Sequence, residues 1–409
     1  MKKICTILSI FLAIFLLCCG IYFYKTPTIP QKNIDISQTN NEIINETNNS
    51  IVDELPQKED SHLKLTVIGD IMCHNSQYVD AFNSSENTYN FSYVFDDIKE
   101  YISNADISIG NLETTFAGSA RGYSNYPRFN TPEQLAYNLK DLGIDILSTA
   151  NNHCMDSNYD GIVSTLNYLD DAGISHIGTN RSADEQNTIL IKEINNIKIA
   201  FLSFTYGTNG ISIPSDKSYA VNLIDNDFIL SQLNYAKQTN PDLICVNMHW
   251  GTEYQTTQNA NQENLANFLF ENGVDIILGS HPHVLQPMEK KSIILPNGTQ
   301  KECFVIYSLG NFMSAQTQKN TRSSIILNLH LTKNNNTNHT IIEDIDYTPI
   351  YMYKGNTNKK YKILDIEKSI FNYESGINTS IGESNYLTLK SEFNRIKNIY
   401  PNFNTNYNS

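Results

Sequence analysis

The stretch VDIILGSHPH at residues 274–283 runs through a short apolar segment and stops on glycine, serine and two histidines. Four other stretches are built the same way: VIGD at 67–70, IGNLE at 109–113, STANNH at 148–153 and VNMHWG at 246–251. An apolar run of this length ending in Asp, Glu, Asn or His reads as a buried strand that delivers a polar side chain to one edge of a sheet. Open α/β folds keep their sites at that edge. Oxygen and imidazole donors gathered there point to a metal site. His281 and His283 stand two apart, so both are expected to point the same way if the segment stays extended, with Pro282 restricting the backbone between them.

Outward from these motifs, strand-like runs at 63–69, 105–110, 144–150, 197–204, 242–248, 274–279, 303–308 and 323–331 alternate with helix-like stretches, which gives an α/β fold. One predicted helix carries Ile162, Leu166 and Leu169 and stops at Gly173; another carries Leu265, Phe268 and Leu269 and stops at Gly273. The sequence divides into a segment at 1–25, a polar linker at 26–61, a main domain at 62–350 and an extension at 351–409. In the extension Leu389, Phe393, Ile396 and Tyr400 share one helical face, which is expected to pack on the main domain.

With 409 residues, 40% of them hydrophobic and 18% charged, the chain can bury one large core or two smaller ones. The formal charge of −14 includes Lys2, Lys3 and Lys25, so residues 26 onward carry −17. Such a body argues against nucleic acid as a partner, because phosphate binding needs a basic face. Residues 4–24 contain no charge, and 21 residues at about 1.5 Å each span about 31 Å, enough for a hydrocarbon core of about 30 Å. Lys2 and Lys3 precede this segment, so the expectation is a single-pass membrane anchor with the body outside the cell. A cleaved signal peptide and lipoprotein processing at Cys18 or Cys19 are the competing readings. Residues 26–61 are rich in Asn, Gln, Thr and Glu, without an aromatic residue, and read as a tether with a span of about 33 Å as a flexible coil.

The cysteines show no CxxC spacing, which excludes a zinc ribbon by pattern. Cys73 and Cys154 each follow a candidate site residue closely. A disulfide or a sulfur ligand from that pair is one reading, and inert packing is the favoured one.

The motifs GDIM at 69–72, GNLETTF at 110–116, ANNHCMDSNYDGI at 150–162, NMHWGTEY at 247–254, GSHPHVLQPME at 279–289 and YSLGNF at 307–312 span residues 65–312. In this order they resemble the bacterial capsule synthesis family typified by poly-γ-glutamate CapA proteins, a branch of the calcineurin-like metallophosphatases. The resemblance implies a four-layer αββα sandwich with two divalent metal ions at the strand ends and a membrane-attached extracellular role. It makes Asp70, Glu113, Asn152, His249, His281 and His283 the candidate ligands, with Glu113 bridging and His153 as general acid. Two departures from the wider metallophosphatase pattern stand out. Met72 occupies the place of the imidazole in the usual Asp-x-His opening, and Glu113 stands where a bridging Asp is usual. His74 is weighed as a substitute for the lost imidazole against a solvated histidine, the favoured reading.

A metal pair of this kind acidifies water and polarises a substrate oxygen, and a histidine beside it protonates the leaving group. Asp156 either orients His153 or caps a helix. Glu253 binds substrate or a neighbouring donor, or makes a structural hydrogen bond. Asn311 touches substrate or shapes a turn. Arg121 and Arg128, in the loop GSARGYSNYPRFNTP at 118–132, are candidate hooks for an anionic surface polymer such as poly-γ-glutamate, or plain exposed arginines. Two function classes follow: a hydrolase of a surface polymer using a metal-bridging hydroxide, or a non-catalytic component of a capsule synthesis and export complex. The mixed nitrogen and oxygen donors suit manganese, iron or zinc.

Overall fold

The computed structural model describes residues 58–295, 298–356, 359–377 and 381–406. Four parallel strands open the chain: β1 (Ser61–Ile71), β2 (Ile107–Leu112), β3 (Ile146–Ser148) and β4 (Ser175–Ile177), each hydrogen-bonded to the next. A second sheet follows from β5 (Leu190–Ile194), β6 (Ile197–Thr205), β7 (Leu243–His249), β8 (Ile276–Ser280), β9 (Met288–Ile294) and β10 (Gln300–Ile306), in the order β9-β10-β8-β7-β6-β5. The chain then returns to the first sheet. There β11 (Asn311–Met313) pairs with β1, and β12 (Ser323–Asn334), β13 (His339–Lys354) and β14 (Tyr361–Asp365) extend it as antiparallel strands on the side of β1 opposite β2.

Period-2 alternation explains how the sheets stack. On β1, Leu63, Leu65 and Val67 face a core shared with Ile199, Phe201, Cys245, Leu278 and Ile306 of the second sheet. The opposite face of the first sheet packs Ile68 and Leu147 against the helices Gln134–Leu142 and Asn158–Ala172. The outer face of the second sheet packs Leu202, Val246 and Ile277 against the helices Asn226–Gln238 and Ala260–Glu271. The layers therefore run helices, sheet, sheet, helices. A strand covered on both faces is buried at every position, and LICVNMH is mostly apolar accordingly, turning polar only towards its C-terminal end at Asn247 and His249. Both predicted glycine stops are left-handed, with φ of 75° at Gly173 and 99° at Gly273.

The boundary expected at residue 350 falls inside β13, and β14 continues the same sheet beyond it. Leu389, Ile396 and Tyr400, from the helix Glu383–Ile399 and its end, lie in the core between the sheets. The segment at 4–24 and most of the linker lie outside the described residues. Among the described residues no helix is long and apolar enough to cross a membrane.

Candidate metal centre

The C-terminal ends of the parallel strands in both sheets converge on one edge. Two glycines let the backbone close up there. A Cβ on Gly69 would lie 1.9 Å from the Gly310 carbonyl oxygen, and a Cβ on Gly279 would lie 2.0 Å from that of Tyr307. The YSLGNF loop therefore packs its backbone against the strands that carry Asp70 and His281, and Asp70 N donates to Gly310 O at 2.9 Å.

From the first sheet come Asp70 and Glu113, both fully buried. Asn111 Nδ2 donates to Asp70 Oδ1 at 2.8 Å and to Glu113 Oε2 at 3.3 Å, holding the two carboxylates in place. Burial and the carboxylates of Asp70, Glu253 and Asp156 push the Glu113 carboxyl well above the usual carboxylate range.

From the second sheet come His249, His281 and His283, all buried. His249 Nε2 stands 2.8 Å from Asn152 Oδ1 and 3.6 Å from Glu113 Oε1; its Nδ1 lies 3.0 Å from Ser280 Oγ. His283 Nδ1 stands 3.1 Å from Asp70 Oδ2, and its Nε2 3.7 Å from Glu113 Oε1. Burial, reinforced by neighbouring imidazoles, holds His249 well below its ordinary range and His281 at about 3. Both rings are therefore neutral, with a lone pair to offer. The expectation of an extended SHPH segment is corrected: His281 and His283 have φ of 96° and 59°. The backbone winds through a left-handed turn, and it is the turn, not strand alternation, that brings both rings to the centre.

His153 and Asp156 lie beside this cluster. His153 Nδ1 is 2.7 Å from Asp156 Oδ2, which also accepts from Phe129 N at 2.6 Å. The N-cap position of the helix Asn158–Ala172 falls to Ser157, not Asp156. The Phe129 ring packs edge-on against His153, with ring centroids 4.8 Å apart.

The remaining candidates are distributed unevenly. Glu253 is exposed, yet it offers an oxygen within 4.8 Å of ring nitrogens of His281 and His283. Asn311 is buried in β11 opposite Asp70, and its Nδ2 donates to Gln316 Oε1 and Thr321 O. Its place is in a strand rather than a turn. Arg128 is exposed and donates to Asn158 Oδ1 at 3.2 Å; Arg121 is exposed as well. His74 is not a solvated histidine. Its Nδ1 accepts from Ala315 N at 3.2 Å, its ring packs on Phe129, and burial lowers it to about 4. Cys73 and Cys154 are free and buried.

Three contributors were missed. Asn111 lies two residues before Glu113 on the same strand face, so alternation alone points to it. Asn151 donates from Nδ2 to Leu112 O at 2.7 Å and accepts from His153 N, fixing the ANNH turn. Tyr206 follows β6 at the same edge, its ring 4.7 Å from that of His281 and nearly parallel to that of His249. No residue type in TYG singles it out; only the strand-end position does.

The donors fit divalent cations. Glu113, His249 and His281 form one group and Asp70, Glu113 and His283 a second, with the donor atoms of each within 4.8 Å of one another. Asn152 Oδ1 joins the first group through His249. Glu113 Oε1 and His281 Nδ1 are buried without a hydrogen-bond partner. Orphaned atoms of this kind are costly unless something else binds them.

The sequence profile of the bacterial capsule synthesis protein PGA_cap matches residues 64–316. The chain is 29% identical to the capsule biosynthesis protein CapA of Bacillus anthracis over 317 residues, covering 75% of this chain and 72% of that one. It is likewise 29% identical to the PGA biosynthesis protein CapA of Bacillus subtilis (strain 168), covering 76% and 79%. Among solved structures it is similar to the calcineurin-like phosphoesterase YfkN from Bacillus subtilis, at 15% identity and a TM-score of 0.42, over 84% of this chain and 100% of that one.

Proposed function

The chain belongs to the bacterial capsule synthesis protein family, and from that premise we propose that it is a metal-dependent hydrolase acting on a capsule-type polymer such as poly-γ-glutamate. In this reading residues 4–24 hold it to the membrane and the folded body works outside the cell, beside a synthesis complex. One observation carries the hydrolase reading: Glu113 Oε1, buried and unpartnered, belongs to both donor groups and stands between His249 and His283. A carboxylate shared in this way is the geometry of a bridging ligand between two cations.

Asp70, Glu113 and His283 would hold one divalent ion, and Glu113, Asn152, His249 and His281 the other; manganese, iron and zinc suit these donors. Bound there, the pair supplies positive charge for an anionic transition state and acidifies a water for attack. The chain's own residues do the rest. Asp156 fixes the His153 ring through Nδ1, leaving Nε2 to deliver a proton to the departing nitrogen or oxygen. Asn151 fixes the backbone of the same residue. The Phe129 ring packs edge-on against His153, and Asn111, donating to both carboxylates, keeps them from parting.

The test is metal content and turnover on the same samples. The purified chain should carry about two metals and hydrolyse a phosphodiester or a γ-glutamyl oligomer, with both properties lost in Asp70→Ala/His281→Ala. A chain without metal or turnover under added manganese, iron or zinc would point instead to a binding component of a capsule assembly.

A further inference from the structure

The turn that follows His249 holds an exposed carboxylate over the mouth of the centre. Trp250 N donates to Ser280 O at 3.2 Å and Tyr254 N donates to Pro282 O at 2.8 Å, so the HWGTEY turn is pinned by main-chain bonds to the turn carrying His281 and His283. Gly251, at φ 87°, makes the first reversal. Tyr254, at φ 66°, makes the second without being a glycine, a conformation that L side chains adopt sparingly. Between them Glu253 is placed within 4.8 Å of donor atoms on both histidines.

The side of the centre occupied by Asp70 and His283 is one donor short. Position 72, two residues after Asp70, is a buried methionine with no ligand to offer a hard cation, and His74 spends Nδ1 on the Ala315 amide. Resting on the metal-centre reading above, we propose that Glu253 is a further ligand of the centre: a solvent-side carboxylate that fills the open coordination position and gives way to an anionic oxygen of the substrate. Its exposure is what suits it to exchange. Asp70 and Glu113 are buried and fixed by Asn111, so neither can leave.

The test is cation binding by the full chain, freed of metal and titrated with manganese, for the wild type and Glu253→Gln. The substitution keeps shape and removes charge at an exposed position, so both chains fold, which equal thermal midpoints without metal would show. The wild type should bind two ions. Glu253→Gln should bind one ion unchanged and the other about tenfold or more weakly, the order of loss seen when a group supporting a metal is removed. If both affinities stay within about twofold of wild type, the Glu253 assignment is overturned and the two-metal centre stands. A wild type that binds none of manganese, iron and zinc overturns the centre and this assignment with it.

Discussion

The first sheet brings carboxylates to the shared edge and the second brings imidazoles. Asp70 lies one residue before the end of β1 and Glu113 directly follows β2, while His249 ends β7 and His281 and His283 follow β8. The two sets are perturbed in opposite directions by one cause, burial, which raises Glu113 and lowers His249 and His281. Each half alone is a group of buried polar side chains short of partners. Placed together they offer anionic and neutral donors around an orphaned oxygen. The lesson is that this centre is a property of the interface between the sheets, in which neither half is complete.

The sharpest way to break the pairing is at the atom the halves share. Glu113→Gln should bind at most one metal and lose about 10³-fold or more in turnover, read by metal analysis and initial rates on one preparation. Next comes His153→Ala, where turnover should fall about 10²- to 10⁴-fold while metal content stays at the wild-type level. A parallel loss of metal would make His153 part of the cation site and not a proton donor.

Stability without metal tests the opposed signs. Glu113 is raised in the folded state, so its contribution is fully present below its ordinary value of 4.5 and is lost as pH rises through the elevated one. His281 is lowered, so its contribution is present above 6.5 and is lost as pH falls toward about 3. The melting temperature of the metal-free chain should therefore decline in both directions. Glu113→Gln should lessen the decline on the alkaline side, where Asp275, Asp365 and Glu367 are raised by burial as well, and leave the acid side, as melting curves across pH would reveal. In packing terms, Gly279→Ala should cost about 1–3 kcal/mol in a denaturant titration, because its methyl group meets the Tyr307 carbonyl.

The smallest effect is expected at Arg128, whose guanidinium is exposed and turned to Asn158. Arg128→Ala should leave the affinity for γ-glutamyl oligomers within about twofold, in keeping with the small worth of exposed polar contacts. A clear loss would restore this arginine as a hook for anionic polymer against the net charge of the body.

Much of the fold is written locally. Alternating and continuous apolar runs mark the strands, because a residue's face follows from its place in the period, and Gly173 and Gly273 mark helix ends because only the left-handed conformation closes those turns. The same locality exposed Asp70, Glu113, Asn152, His153, His249, His281 and His283 as polar groups ending apolar segments. What lies between segments was decided only by tertiary structure. The SHPH turn leaves the strand period, Tyr206 joins by packing on His249 and His281, His74 is taken up by Ala315 and Phe129, and Glu253 reaches the histidines through a turn pinned to another loop. The sequence by itself determined which side chains end the strands, since that depends on short-range periodicity. Only the packing of one sheet on the other decided which ends meet, since that distance is set by core side chains far away in the chain.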